Sequence, residues 1–326
     1  MKRVLKWLGR GLLVILLLIL VGPLLIPMSV VDGGTLNASD LTDAESKYVN
    51  VLGYDLHYKE MGSGDRTLIL MNGFGGNLTT WRKVMEPLSQ YGRVIAFDRI
   101  GTGLSEYPMQ GAWTGKSPYA PSMQPEFVVG LMDALGIESA VLVGNSQGGT
   151  IAVQTALAYP ERVETLILAD PAIYTTGGFP PEYAWLYATP QMRRLGPVSS
   201  RQFLGEANAD ELLKLAWHDP SKLTAAERAE SAKYGQIHNR FRALWEYTIA
   251  GETLDLASQV GTIDMPTLVI AGDDDRIIPT PEHARLASEI PGAEYFLIAQ
   301  CGHVPQEEQP EEFLRAVDAF LRGLEK

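Results

Sequence analysis

After residue 48, the hydrophobic positions fall into short apolar runs separated by longer amphipathic stretches. Residues 49–60 alternate as two short strands with a turn at Gly53, whereas the later runs are continuously apolar, which is typical of buried parallel strands. These later strands are predicted at 67–71, 93–97, 140–143, 163–168, 267–271 and 295–298. Helices are predicted between them near 80–90, 125–135, 149–159, 281–290 and 310–324. The alternation predicts an α/β fold built on a mostly parallel, doubly wound sheet.

Residues 172–260 contain no strand-like run and break this alternation after the sixth strand. Aromatic residues lie there among helix-like polar segments, namely Tyr183, Trp185, Tyr187, Trp217, Tyr234, Phe241, Trp245 and Tyr247. Aromatic side chains at this density pack a small core or line a pocket. An insertion at the carboxyl edge of a parallel sheet lies where ligands bind. We therefore predict a helical cap at 172–260 over a core formed by 49–171 and 261–326.

The N-terminal segment has the most continuous hydrophobic pattern of the chain. Residues 11–31 carry no charge, and at ~1.5 Å per residue a helix of this length spans a ~30 Å hydrocarbon layer. Pro23 and Pro27 lie in its last third, where proline bends or ends a helix. We predict a membrane anchor at 1–31, formed by a transmembrane helix, and a linker at 32–48.

A cleaved signal peptide is the alternative, because it shows the same basic start and apolar core. No A-x-A-like cleavage site precedes Asp32, and no cysteine follows that would carry a lipoprotein anchor. The segment's basic residues all precede the apolar run, so the positive-inside rule keeps the N-terminus in the cytoplasm. The prediction is a single-pass protein with its catalytic part outside the cytoplasm, and the alternative is a secreted one.

Composition limits the possible partners. The chain has 326 residues and a net charge of −12, and the four basic residues before Asp32 leave −16 on the rest. A surface of this charge repels phosphate backbones, so nucleic acid is not expected as a partner. The only cysteine, Cys301, excludes an internal disulfide and a thiolate metal cluster, and we predict that it is a packing residue.

Candidate chemistry begins at Ser146, in the sequence Gly-Asn-Ser-Gln-Gly between a predicted strand and a predicted helix. A serine on so tight a turn has a strained backbone and no room for large neighbours, which explains the flanking glycines. The turn exposes the hydroxyl above the sheet, and the start of the following helix favours developing negative charge. Ser146 is the predicted nucleophile.

A serine hydroxyl needs an imidazole to take its proton and a carboxylate to orient that imidazole. Asp275 follows one predicted strand and His303 follows the last, which gives the chain order serine, aspartate, histidine. The aspartates at 273–275 lack further ligands at a suitable spacing, so no metal site is predicted. The remaining histidines are predicted to be surface or packing residues, namely His57, His218, His238 and His283.

From about Val49 onwards the chain resembles the α/β-hydrolase superfamily, in its lidded serine-hydrolase branch. Four features carry the resemblance: the loop 72–76, the D-x-x-G-x-G-x-S turn at 98–105, the turn at Ser146, and the paired G-x-x-D-x-x-x-P and G-H-x-P segments that hold Asp275 and His303. The resemblance implies Asp275 as the acid, although some members carry it where this chain has Asp170. It also implies an oxyanion hole formed by the backbone N–H groups of Phe74 and Gln147.

One position departs from the family pattern. Asn72 stands where the family usually has histidine, at the start of the oxyanion loop that Gly73 and Gly75 also support. Backbone donation does not depend on this side chain, but loop rigidity and substrate preference do. The serine at position 146 argues against epoxide hydrolase and dehalogenase activity, because those members use aspartate there.

The expected reaction is acyl transfer to water. Ser146 attacks a carbonyl, His303 takes and returns the proton, Asp275 stabilises the imidazolium, and water hydrolyses the acyl-enzyme. The expected substrate is a small-molecule or lipid-like carboxylic ester, with no metal or organic cofactor. Carbon–carbon bond hydrolysis by the same triad is the main alternative. Peracid formation, amide or thioester hydrolysis, and non-catalytic ligand binding also remain open.

Overall fold

The centre of the molecule is an eight-stranded sheet in the order β1-β2-β4-β3-β5-β6-β7-β8. The computed structural model describes residues 2–174, 181–205, 208–252 and 254–325. Strand β2 pairs antiparallel with β1 and β4, and all other neighbours are parallel, which confirms the predicted sheet. The strands are β1 Lys47–Val51, β2 Tyr54–Met61, β3 Thr67–Met71, β4 Arg93–Phe97, β5 Ala140–Asn145, β6 Val163–Ala169, β7 Thr267–Gly272 and β8 Glu294–Ile298.

Helices cover both faces of this sheet. The α-helices are α1 Lys2–Val21, α2 Met28–Asp32, α3 Met85–Leu88, α4 Gln124–Ala134, α5 Gln147–Ala158, α6 Ala184–Tyr187, α7 Met192–Leu204, α8 Ala209–Ala216, α9 Ala225–Gly235, α10 Arg240–Ile249, α11 Thr280–Glu289, α12 Pro305–Glu308 and α13 Pro310–Leu324. Helices α4, α5 and α11 pack on one face, and α3 and α13 pack on the other. Every residue of β3, β5 and β7 is buried, which explains why these strands are apolar without alternation.

The predicted helix at 80–90 is wrong in its extent. Only α3 is α-helical there, between 3₁₀ turns at Leu78–Trp81 and Ser89–Tyr91. Pro87 lacks an N–H group, and its ring collides with the carbonyl four residues earlier, so a longer α-helix does not form.

Helices α6 to α10 lie between β6 and β7, in the stretch predicted as the cap. Residues 175–180, 206–207 and 253 of that stretch lie outside the described residues. Helices α7 and α10 pack against each other, and a Cβ atom added at Gly196 would lie 2.1 Å from the Trp245 ring. The close approach of these two helices therefore depends on the glycine.

The N-terminal helix α1 ends at Val21, before Pro23, and a 3₁₀ turn continues to Leu25. The stretch Arg3–Leu25 is long and apolar enough to cross a membrane, and almost none of it is buried against the rest of the chain. Helix α2 then packs on α7 and α10. Within the predicted linker, Leu36 forms a β-bridge with Ile237, so this segment also lies against the helical insertion.

Candidate active site

The turn between β5 and α5 holds Ser146 in a left-handed backbone conformation, with φ of 55° and ψ of −121°. Two close contacts explain the glycines around it. A Cβ atom at Gly148 would lie 2.1 Å from the carbonyl oxygen of Met71, and one at Gly144 would lie 2.4 Å from the Gly148 backbone. The backbone strain at Ser146 is therefore maintained by tight packing, as expected for a serine presented at the end of a strand.

The structure brings Asp275 and His303 together. Nδ1 of His303 lies 2.7 Å from Oδ2 of Asp275, and both side chains are buried. Oδ1 of Asp275 accepts hydrogen bonds from the backbone N–H groups of Ile277 and Ile278 at 2.8 and 3.0 Å. Burial opposes the charged form of Asp275, but hydrogen bonds from His283 and His303 outweigh it and lower its pKa. The acid therefore stays ionised beside the imidazole.

Asn145 connects this pair to the serine turn. Its Nδ2 donates to the carbonyl oxygen of His303 at 2.9 Å and to that of Ala169 at 3.1 Å. The backbone N–H of His303 donates to Ala216 at the end of α8. The histidine is thus fixed between the residue preceding Ser146 and the helical insertion. Cys301, nearby, is fully buried, as expected for a packing residue.

A second acidic group and a second histidine lie behind Asp275. Nε2 of His283 is 3.2 Å from Oδ2 of Asp275 and 3.3 Å from Oδ1 of Asp170, and neither His283 nor Asp170 is exposed. Burial and, after it, the charge of Asp275 raise the pKa of Asp170, which favours the neutral form of that carboxyl group. Asp170 and His283 therefore support Asp275 from beneath.

These three side chains also form a group that could hold a metal ion, with ligand atoms within 4.8 Å of one another. However, Asp275 already bonds His303, and Oδ1 of Asp170 accepts the backbone N–H of Gly272 at 3.0 Å. Hydrogen bonds thus engage Asp275 and one oxygen of Asp170, whereas Oδ2 of Asp170 and Nδ1 of His283 make none within the described residues.

The predicted oxyanion loop passes directly beside the serine. A Cβ atom at Gly73 would lie 3.0 Å from Cβ of Ser146, and Gly75 has a φ of 67°. Gln147 is the first residue of α5, so its N–H has no partner within the helix. Within the described residues, the N–H of Phe74 also makes no hydrogen bond. Both predicted donors are available to a ligand at Ser146.

Three donors converge on the carbonyl oxygen of Gly73. They are Nδ2 of Asn72 at 3.1 Å, the backbone N–H of Gly76 at 3.2 Å, and Nη2 of Arg99 at 2.9 Å. This carbonyl belongs to the same planar peptide unit as the N–H of Phe74. Fixing the carbonyl therefore orients the predicted oxyanion donor. Asn72 is fully buried and contributes to the loop in place of the family's histidine.

A second guanidinium reaches the loop from the helical insertion. Nη2 of Arg240, at the start of α10, donates to the carbonyl oxygen of Gly75 at 2.6 Å. Burial lowers the pKa of both Arg99 and Arg240, yet an arginine remains charged at neutral pH. The loop is thus bordered by two positive charges, of which Arg99 is buried and Arg240 part-buried.

Sequence reasoning did not identify His283, Arg99 or Arg240 as parts of this site. Arg99 lies within the motif at 98–105, where its position next to the motif's aspartate was a usable signal. Arg240 carried none, because its contact with Gly75 joins residues 165 positions apart, and His283 carried none, because only the packing of its helix brings it to Asp275. His283 was predicted to be a surface or packing residue. It is buried, as a packing residue would be, and it also contacts the predicted acid Asp275.

Residues 66–310 match the family model described as the alpha/beta hydrolase fold, and the chain belongs to this family. The relatives include the 2-hydroxymuconate semialdehyde hydrolase of Pseudomonas putida, 36% identical over 72% of this chain and 78% of the relative. A 2-hydroxy-6-oxononadienedioate/2-hydroxy-6-oxononatrienedioate hydrolase of Paraburkholderia phymatum is 33% identical over 85% of this chain and 96% of the relative. The chain is therefore a hydrolase of the α/β-hydrolase family.

Solved structures extend the comparison. A thermophilic esterase from Thermogutta terrifontis has a TM-score of 0.69 and 25% identity, covering 87% of this chain and all of its own. A membrane phospholipase A, described as a bacterial virulence factor, has a TM-score of 0.70 and 27% identity and covers both chains completely. The predicted family and fold are confirmed. The ester expected from the sequence is less well supported than its alternative, because the curated relatives act on hydroxy-oxo acids.

Proposed function

We propose that this protein is a serine hydrolase that cleaves the bond next to a carbonyl carbon through an acyl-enzyme on Ser146. The observation that carries the proposal is the strained Ser146 beside two unbonded backbone N–H groups, with the Asp275–His303 pair tied to the same turn. In this proposal, the N–H groups of Phe74 and Gln147 stabilise the oxyanion, and His303 moves the proton.

We propose a carbon–carbon bond as the first candidate for the bond cleaved. The compounds named for the curated relatives are hydroxy-oxo acids without an ester, so hydrolysis there breaks the carbon–carbon bond next to the oxo carbon. The fragment that contains the oxo carbon becomes the acyl group on Ser146. The electrons of the broken carbon–carbon bond stay with the other fragment, and its carbon atom at the broken bond takes up a proton. Arg99 and Arg240 favour negative charge near the oxyanion loop, which suits an anionic substrate.

A lipid-like carboxylic ester is the second candidate. The observation that favours it is the apolar stretch Arg3–Leu25, together with the likeness of the whole chain to a membrane phospholipase A. An enzyme held at a bilayer meets acyl esters at high local concentration. The proton transfers and oxyanion stabilisation are the same for both candidates, and only the leaving group differs.

The test uses the full-length protein in detergent and two substrate series. One series contains 2-hydroxy-6-oxo-dienoic acids, followed by loss of their visible absorbance, and the other contains p-nitrophenyl esters of increasing acyl length. Fluorophosphonate labelling reports the reactive serine independently of substrate. We expect labelling and hydrolysis in the natural chain, and loss of both in Ser146→Ala.

Ser288→Ala, at an exposed serine of α11, is the matched control and keeps full activity. Equal hydrolysis by Ser146→Ala and the natural chain would contradict the proposed nucleophile. A folded natural chain that neither labels nor hydrolyses would instead favour the non-catalytic, ligand-binding alternative.

A further inference from the structure

Helices α6 and α7 of the insertion carry large apolar side chains on their outer surface. Trp185 is 70% exposed and Phe203 is 67% exposed. Further exposed apolar residues of this surface are Leu186, Leu195 and Leu204, together with Tyr183 directly before α6. Isolated exposed apolar residues need no explanation, but a group on two consecutive helices marks an interaction surface. We call this group the α6–α7 surface.

The charge of α7 differs from that of the molecule around it. The helix contains Arg193, Arg194 and Arg201 and no acidic residue, although the chain after the N-terminal segment carries −16. Arg193 pairs with Glu246 on α10. Arg194 and Arg201 are part-exposed and lie beside the segment that follows the apolar stretch: Nη1 of Arg194 bonds the carbonyl oxygen of Ile26, and a Cβ atom added at Gly33 would lie 3.0 Å from Nη1 of Arg201. A helix with apolar and basic side chains in this arrangement is typical of binding at a membrane interface.

Two hydrogen bonds connect this surface to the end of the apolar N-terminal stretch. Nε2 of Gln191 donates to the carbonyl oxygen of Leu20 at 2.9 Å, and Nη1 of Arg194 donates to that of Ile26 at 2.7 Å. Leu20 lies within Arg3–Leu25, near its C-terminal end. When this stretch crosses a bilayer, the start of α7 must therefore lie at the level of the lipid headgroups.

We infer that the α6–α7 surface lies on the bilayer into which α1 inserts, with Trp185 and Phe203 at the boundary between headgroups and acyl chains. Arg194 and Arg201 then face lipid phosphate groups, so the fitting partner is a bilayer that contains anionic phospholipid. The helical insertion is thereby held against the membrane. This inference rests on the proposed insertion of α1 and not on which bond Ser146 cleaves.

A second copy of this chain is the other occupant that an apolar surface admits. The bilayer is favoured because the surface is continuous with the apolar stretch and because its charge is opposite to that of anionic lipid. A second copy would bring the same arginines together at the interface, since two identical surfaces meet in a symmetric dimer.

The test uses full-length protein reconstituted in vesicles and a fluorophore attached to single introduced cysteines. The natural Cys301 is buried, and the unmodified chain serves as the blank for its labelling. Test positions are Trp185→Cys and Phe203→Cys. Leu16→Cys reports the apolar helix, and Glu161→Cys, at the opposite edge of the sheet where β6 begins, reports a position far from the bilayer.

Nitroxide lipids should quench the labels at 185, 203 and 16 several-fold more than the label at 161. Adding phosphatidylglycerol to phosphatidylcholine vesicles should increase quenching at 185 and 203, and Arg194→Glu with Arg201→Glu should remove that increase. Quenching at 16 with none at 185 or 203 overturns the inference but leaves the membrane helix in place.

Quenching at none of the positions overturns both the helix insertion and the inference. Energy transfer between labels at 185 on separate copies, without lipid quenching, also overturns the inference and favours the dimer. Hydrolysis measured in the same vesicles with Ser146→Ala as reference tests the proposed function separately, because it depends on neither label.

Discussion

Asp170 and Asp275 follow the neighbouring strands β6 and β7, and each is a possible partner for a catalytic histidine. The structure distinguishes them by their environment. Asp275 bonds His303 at 2.7 Å and accepts two backbone N–H groups, whereas Asp170 is buried beneath it and bonds Gly272. Two adjacent carboxylates cannot both ionise without cost, so the lowered pKa of one accompanies the raised pKa of the other.

This asymmetry predicts opposite outcomes for two matched substitutions. Asp275→Asn should lower kcat by about 10⁴-fold, because an amide cannot hold His303 in the required tautomer or stabilise its charge. Asp170→Asn should keep kcat within about tenfold of the natural chain, because an amide resembles a neutral carboxyl group. Steady-state kinetics of both variants provide the measurement, and the reverse ranking would assign the acid to Asp170.

The contributions of Asp275 and Asp170 to the stability of the fold should depend on pH in opposite directions. The folded pKa of Asp275 is below its unfolded value, so it stabilises the fold above the unfolded pKa of about 4 and loses that contribution as pH falls. The folded pKa of Asp170 is raised, so it costs stability as pH rises above the same value. Compared with the natural chain, Asp170→Asn should raise Tm more at pH 7 than at pH 4. Asp275→Asn should lower Tm more at pH 7 than at pH 4.

At this scale, the sequence predicted the residues whose position follows from a local motif. Ser146, Asp275 and His303 each follow a strand, so parallel strands bring them to one edge. The role of His283 could not be predicted, because the sequence of a helix does not show whether its histidine faces solvent or a buried carboxylate. Only the packing of α11 on β7 brings it under Asp275.

Among the elements, the insertion and the oxyanion loop are connected through a chain of peptide groups. Arg240 on α10 donates to the carbonyl of Gly75, whose peptide unit carries the N–H of Gly76. That N–H donates to the carbonyl of Gly73, whose peptide unit carries the N–H of Phe74. Linked hydrogen bonds polarise one another, so a positive charge at Arg240 strengthens the Phe74 donor.

Removing that charge should therefore affect catalysis more than binding. Arg240→Met should lower kcat about 10- to 100-fold, less than loss of a whole oxyanion donor, with little change in KM. Arg240→Lys should recover part of the loss, because the positive charge remains. Binding of a boronic acid transition-state analogue should weaken in parallel with kcat/KM.

The matched control is Arg242→Met, two residues along the same helix. Arg242 bonds Asp32 at 2.6 Å, and within the described part of the chain it makes no hydrogen bond to the loop at 72–76. It should keep the natural kcat. Equal loss in both variants, or a fall in Tm that accounts for the loss at Arg240, would assign Arg240 a purely structural role.

The strands of this fold could be predicted from the sequence better than the contacts of its insertion. Continuous apolar runs place β3, β5 and β7, because every position of these strands is buried. The ends of helices near proline were less predictable from the sequence, as the short helix α3 around Pro87 shows. The contact of Arg240 with Gly75 joins residues 165 positions apart and has no local pattern.

For the whole molecule, charge and hydrophobicity are divided along the chain. Four basic residues precede the uncharged run at 11–31, which forms most of the apolar stretch Arg3–Leu25, and the remainder of the chain carries −16. An acidic surface and an anionic bilayer repel each other, so contact between them requires an apolar or basic region. The α6–α7 surface meets that requirement, and it adjoins the stretch itself.

The same division predicts the topology of the molecule. Basic residues next to a membrane helix stay in the cytoplasm, so Lys2, Arg3 and Lys6 should hold the N-terminus inside and leave the hydrolase domain outside. Protease added to spheroplasts should then degrade the domain while a cytosolic protein survives, and the domain should sediment with membranes. Survival of the domain alongside the cytosolic control would reverse the orientation, whereas recovery of a shortened domain in the soluble fraction would establish the cleaved, secreted form. Only degradation together with sedimentation is compatible with contact between the α6–α7 surface and the outer face of the bilayer. A released domain would no longer carry the apolar stretch, to whose C-terminal end Gln191 and Arg194 are bonded.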